Sequence, residues 1–304
     1  MSDSQSDTVP LEHRQRIERL PCWRGRVEAS PLSGGITNAN YVVVDDREKF
    51  VVRLGGDIPV HQVMRFNELA TSRAAHAAGI APQVVHAESG ALVIRFIEGK
   101  VFGESDVREP ANLQRVLALV RRFHVEVPRF FRGPALAFWV FQVLRDYSRT
   151  LRDGNSRHTG ALARLGAIAS ALEDAVGPVE IVFGHNDLLA ANLIDDGERL
   201  WLIDFDYAGF NSPLFDLANL ASNNQLSPEQ ERDALEVYYA EAASDRRWRA
   251  YAAMKCASLL RDTMWSMVSE IHSSLDFDYA AYTAENLDRF ERTYKDLNAE
   301  LEFL

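Results

Sequence analysis

The sequence predicts an α+β chain with two lobes, a small β-rich one followed by a larger, mainly helical one. Three observations carry this. Residues 41–97 alternate short strand-like runs around a single helical segment. Beyond residue 110, apolar residues recur at helical spacing over several long stretches. Between those stretches, residues 180–203 read as a strand and a hairpin that gather polar residues at one end.

Residues 1–10 are expected to be disordered, since most of them are polar. Leu11 to Leu20 suits a short helix stopped by Pro21. Tyr41 to Leu54 reads as two strands around a charged turn, rich in valine. His61 to Ala78 has helical spacing, with Val63, Phe66, Leu69 and Ala70 on one face and Gly79 as the stop. Two more strands follow, at Gln83 to His86 and Ala91 to Ile97. The lobe boundary falls at Glu98-Gly99, giving an N-lobe of 11–97 and a C-lobe of 98–304. Asn112 is placed to cap a helix carrying Leu113, Val116, Leu117, Val120 and Phe123. Helices are also expected over Phe138 to Leu151 and Ala161 to Val176. Ser227-Pro228-Glu229 opens another, with a capping hydroxyl, a proline at the first position and acids in the first turn. Helical segments then continue to near residue 300.

The polar unit is the most specific feature. Glu180 to Gly184 reads as a strand, and Leu193 to Ile203 as a hairpin turning at Asp196-Gly197. That arrangement brings Asp187, Asn192 and Asp204 to one edge. The run Asp187-Leu188…Asn192 matches the D-L-x-x-x-N catalytic-loop signature of kinases, and Asp204-Phe205 stands where the metal-binding Asp-Phe does. Asp206 replaces the glycine that usually follows. Phosphoryl transfer needs such groups: one carboxylate to orient and deprotonate a hydroxyl, and an amide oxygen plus a second carboxylate for magnesium. Asp187, Asn192 and Asp204 are therefore the catalytic candidates, with Asn192 and Asp204 as the metal ligands. ATP and Mg²⁺ are the expected cofactors. His185 is expected to be structural, bonded to backbone near Asp204, because Asp187 already holds the base position.

Composition narrows the partners. The chain has 304 residues, 47% of them hydrophobic and 25% charged, with a net charge of −11. That charge argues against nucleic acid and anionic membranes and is compatible with a cationic substrate. No apolar run is long enough to cross a membrane, and the N-terminus has no signal-peptide pattern. Cys22 and Cys256 are read as reduced thiols, consistent with a cytoplasmic protein. A homo-oligomer is compatible with all of this.

For the nucleotide, Ser33-Gly34-Gly35-Ile36-Thr37-Asn38 precedes the first clear strand. Its glycines let backbone N–H groups approach phosphate, and Ser33, Thr37 and Asn38 add side-chain donors. Arg53 lies where a kinase carries its strand lysine, and a guanidinium can pair nucleotide phosphates. Glu68 on the next helix is its natural partner. Adenine is expected near Arg95 to Glu98.

His185-Asn186-Asp187-Leu188…Asn192, Ile203 to Tyr207 and Asn211 to Asn219 together resemble the choline/ethanolamine kinases. These belong to the wider aminoglycoside-phosphotransferase-like, protein-kinase-like group. Trp265 to Tyr282 is similar to that family's aromatic helix and following turn, and the likeness spans most of residues 28 to 292. It implies a protein-kinase-like fold and an amino-alcohol acceptor, choline or ethanolamine. It also implies an arginine at the Arg53 position and a buried loop-anchoring role for Asp216. Tyr207, Trp265, Tyr279 and Tyr282 match positions used there to hold a cation against aromatic faces, with Asp206 assisting metal or amine. Two positions depart: Asn223 stands where the family usually has a glutamate, and Asp262 where it often has a tryptophan. These keep thiamine or an aminoglycoside open as acceptor. A nucleotide-binding pseudokinase is the alternative from another class; the complete Asp187, Asn192 and Asp204 set argues against it.

Overall fold

The computed structural model describes residues 8–32, 38–273, 275 and 277–302. Helix α1 (Leu11–Glu18) precedes strands β1 (Glu28–Pro31), β2 (Ala39–Asp45) and β3 (Glu48–Leu54). Helix α2 (Arg65–Ala77) and strands β4 (Val84–Glu88) and β5 (Ala91–Arg95) complete the N-lobe. The five strands form one antiparallel sheet in the order β1-β2-β3-β5-β4. Along β3, Phe50, Val52 and Leu54 are buried in the N-lobe core. The two-residue period therefore turns Arg53 to the opposite face, toward the cleft. Val9, within the segment expected to be disordered, is buried in that core.

Helix α2 is turned differently from its expected apolar face. Phe66 is 45% exposed, whereas Asn67, Glu68, Thr71, Ser72, Ala74 and Ala75 are buried. Ala74, Ala75, Ala78 and Ile80 belong to the larger hydrophobic core of the C-lobe. The polar half-turn at Asn67 and Glu68 is buried because long-range partners satisfy it: Asn67 Nδ2 donates to the Ala208 carbonyl at 2.7 Å, and Glu68 meets two arginines described below. The helix is a wedge between the lobes, and a purely apolar stripe would leave that junction without polar pairing.

After Glu98 the chain crosses through Gly99, where a Cβ would come within 2.6 Å of the Asp195 carbonyl oxygen. Strand β6 (Lys100–Val101), α3 (Glu104–Arg108), α4 (Pro110–Phe130), α5 (Val140–Asp153) and α6 (Leu162–Val176) follow. Helix α4 begins at Pro110 rather than behind an Asn112 cap. Proline suits the first helical position because no N–H is needed there, and Asn112 Nδ2 donates instead to the Asp106 carbonyl. The strand-and-hairpin unit comprises β7 (Val182–Gly184), β8 (Leu193–Asp195), β9 (Leu200–Leu202) and β10 (Gly209–Asn211). β7 is shorter than expected because Ile181 is exposed. β7 pairs with β10, and β8 pairs with β9 on one side and β6 on the other.

Helices α7 (Pro213–Asn224), α8 (Pro228–Tyr239), α9 (Asp245–His272) and α10 (Tyr279–Glu302) complete the C-lobe. The Ser227 cap of α8 is present as a reciprocal pair with Gln230. Helix α9 is buried on all sides over much of its length and packs against α5, α6, α7 and α10. Such a helix is expected to be apolar throughout, so Arg261 and Asp262 within it stand out.

Candidate active site

The loop from His185 to Asn192 is tied down at almost every residue. Asp216, buried at the start of α7, accepts from the backbone N–H groups of His185 and Asn186, both at 2.7 Å, and pairs with His124 Nε2 at 2.8 Å. These donors hold its carboxyl below the usual range despite burial. Asn219 Oδ1 accepts from Leu188 N, and Asn186 Nδ2 donates to the Tyr207 carbonyl. His185 Nδ1 accepts from Asp187 N, so its proton is on Nε2, which donates to the Ile203 carbonyl at 2.9 Å. Burial pulls its pKa down. A neutral histidine with both nitrogens engaged is a strut, as the sequence suggests.

This frame places Asp187, Asn192 and Asp204 together. Asn192 Nδ2 donates to the Asp187 carbonyl at 3.0 Å, which directs its amide oxygen away from that contact. Ile203 N donates to the Asn192 carbonyl, locking the hairpin against the loop. Asp204 adopts φ 65°, a left-handed backbone unusual outside glycine and costing on the order of 1 kcal/mol. The cleft, about 660 Å³ counted out to its open mouth, is lined by Asp187, Asp204, Asp206, Asn223 and a wall from α9 and α10. Burial pushes the Asp187 carboxyl up to about 7; Arg261 opposes the shift, and Asp204, Asp262 and Asp206 add to it.

On the N-lobe side, Arg53 Nη1 lies 2.8 Å from Glu68 Oε1, the pairing the sequence suggests. Its Nη2 lies 3.1 Å from Asp204 Oδ1 and 3.3 Å from Asp206 Oδ1. Arg65, which sequence reasoning missed, bonds Glu68 at 2.5 Å and Asp206 at 2.8 Å through one nitrogen. Asn38 Nδ2 donates to the other Asp206 oxygen at 3.1 Å. Burial would raise the Asp206 pKa, but Arg53, Arg65 and Asn38 outweigh it and hold the carboxyl below its ordinary range. Asp206 thus joins a two-lobe ion cluster while also lining the cleft with Asp187 and Asp204. Ser33, Gly34, Gly35 and Thr37 lie outside the described residues.

The far wall comes from α9 and α10. Trp265 and Tyr282 line the cleft beside Asp262. Trp265 Nε1 donates to Tyr207 Oη at 2.8 Å, and His61 stacks on Trp265 at 4.9 Å. Tyr279 does not line the cleft; it backs Trp265 at 6.1 Å, with its hydroxyl bonded to Ser273. Arg261, the second missed residue, bonds Asp262 at 2.9 Å and lies 3.9 Å from Asp187. Its guanidinium covers the Tyr207 ring at 4.3 Å. A charged pair within an apolar helix, four residues before Trp265, was the signal available.

The family follows from a match of residues 28–255 to the phosphotransferase enzyme family. The chain belongs to that family. It is 27% identical to ethanolamine kinase 2 of Mus musculus over 326 residues, covering 97% of this chain and 84% of the relative. It is 25% identical to protein LicA of Haemophilus influenzae over 263 residues, covering 84% and 76%. A choline/ethanolamine kinase family protein from Mesorhizobium loti superposes with a TM-score of 0.72 at 25% identity, covering 93% of both chains. The phosphotransferase family and its two-lobed, kinase-like fold agree with the expectation from sequence.

The donor set suits magnesium. Among the described residues no group of three or more His, Cys, Asp or Glu is disposed to hold a metal. Asn192 and Asp204 offer two hard oxygen ligands, and magnesium in kinases takes one or two protein oxygens plus substrate phosphates.

Proposed function

We propose that this chain transfers the γ-phosphoryl group of ATP to the hydroxyl of a small amino-alcohol, choline or ethanolamine. One observation supports the reading above others: Asp187 and Asp204 share a cleft with Asp262, Trp265 and Tyr282, and Asn192 is hydrogen-bonded to the Asp187 carbonyl. The names of the similar kinases support it.

Asp187 accepts the hydroxyl proton as the acceptor oxygen bonds to phosphorus and the bond to ADP breaks. A carboxyl near pH 7 is matched to that task. Asn192 and Asp204 would hold Mg²⁺, whose charge would offset that of the phosphates. Arg53, oriented by Glu68, stays cationic: burial lowers its pKa, and Asp204, Glu68 and Asp206 more than restore it. In this reading it would pair with phosphate oxygens. The loop from Ser33 to Asn38 would cover the phosphates, with adenine near Arg95 to Glu98. In this reading residues 11–97 form the nucleotide lobe and 98–304 the acceptor lobe, and the protein works in the cytoplasm.

The test is a coupled assay of ADP release with Mg-ATP and a panel of amino-alcohols, thiamine and aminoglycosides. Turnover with ethanolamine or choline above the acceptor-free rate supports the reading. ATP binding with no acceptor-dependent turnover would mark a pseudokinase.

A further inference from the structure

The acceptor wall is not a complete aromatic cage. The Tyr207 face is already covered by the protein's own cation, Arg261, at 4.3 Å. Its hydroxyl is taken by Trp265. Tyr279 stands behind Trp265, outside the lining. One face of Trp265 is occupied by His61. Among the described residues, the aromatic surface left in the cleft is the rest of Trp265, Tyr282 and the part of Tyr207 that Arg261 does not cover.

Hydrogen-bonding groups replace the missing rings. Asp262 lines the cleft with Oδ1 held by Arg261 at 2.9 Å. That grip fixes the carboxylate and leaves Oδ2 as an acceptor. Asn223 adds an amide to the same lining. A trimethylammonium group donates no N–H and is best held by aromatic faces. An ammonium with N–H groups gains most from a fixed carboxylate.

We infer that Asp262, held by Arg261, is a specificity-determining residue that selects an acceptor ammonium bearing N–H over a quaternary one. This rests on the amino-alcohol kinase reading and names the substrate class within it, an amino-alcohol whose ammonium keeps an N–H. Arg261 has two parts in the selection. It anchors Asp262, and it occupies one face of the Tyr207 ring, leaving less aromatic surface for a methylated cation.

The experiment compares kcat/KM for ethanolamine, N-methylethanolamine, N,N-dimethylethanolamine and choline at saturating Mg-ATP. In the wild-type chain the value should fall most at the last methylation, from N,N-dimethylethanolamine to choline, where the final N–H is lost. The whole series should span about ten- to a hundred-fold, the worth of a hydrogen bond to a charged group. Asp262→Asn should bring the ethanolamine-to-choline ratio toward one, and Asp262→Glu should keep the preference. Choline used as well as ethanolamine, or a ratio unmoved in a folded, nucleotide-binding Asp262→Asn, would overturn the inference while leaving the kinase reading intact. Turnover of none of the four by a chain that binds Mg-ATP would overturn both.

Discussion

Arg65 Nη1 reaches Glu68 Oε2 at 2.5 Å and Asp206 Oδ1 at 2.8 Å, so one nitrogen joins a carboxylate of the N-lobe helix to one of the C-lobe. Both acids are nearly buried, and Arg53 contacts both as well. Arg65→Met should destabilise the chain by about 3 kcal/mol. This is the low end for breaking a buried pair, because Arg53 still serves both acids. Urea midpoints of the two proteins measure it; an unchanged midpoint would mean the cluster adds nothing to lobe docking.

Asp187→Asn should retain nucleotide binding and lose about 10²-fold or more in turnover, the scale of general-base assistance. Asp187 is placed at the acceptor side of the cleft, beside Arg261 and Asp262. Single-turnover phosphorylation at saturating Mg-ATP isolates that loss. A rate near wild type would remove Asp187 from the base role.

Asp204→Ala should abolish turnover and erase the dependence of ATP affinity on Mg²⁺, since Asn192 alone would remain as protein ligand. Nucleotide titrations with Mg²⁺ and with EDTA separate the metal contribution. Equal magnesium enhancement in both proteins would count against Asp204 as a ligand. Because Asp204 also contacts Arg53, ATP affinity in EDTA reports whether the arginine has moved.

His61 provides a pH signature. It is buried between Tyr147, Ser269 and Trp265, with both ring nitrogens in hydrogen bonds. Burial, then the nearby Arg261 and His272, lower its pKa from 6.5 to about 3. The unfolded chain therefore takes up a proton in that interval that the folded chain does not. Stability from this site is whole above pH 6.5 and declines as pH falls toward 3, with a limiting slope of about 1.4 kcal/mol per pH unit. Urea unfolding from pH 7 to 5 should be less pH-dependent in His61→Gln than in wild type. Parallel curves would show that other groups dominate.

The strand, loop and hairpin that carry Asp187, Asn192 and Asp204 were legible because their signal is local. Asp187, Asn192 and Asp204 sit within one strand-loop-hairpin, so their spacing alone implies their meeting. Glu68 and Arg53 were legible by analogy with another kinase pair. Arg65 and Arg261 were not, because their partners Asp206 and Asp187 are distant in sequence and an arginine on a helix is ordinarily solvated. The arginines around Asp206 are hidden for the same reason: the motif shows it next to Asp204 and is silent on Arg53 and Arg65. The buried face of α2 was misjudged because an apolar stripe was sought where polar residues are buried by pairing.

His61 belongs to the N-lobe, yet it rests on Trp265 in the acceptor wall of the C-lobe. A substitution at His61 would therefore reach the Trp265 wall from the segment that precedes the N-lobe helix. In the kinase reading the two ligands would then share a structural element, and by thermodynamic reciprocity any factor that ATP contributes to acceptor affinity would be returned by the acceptor to ATP.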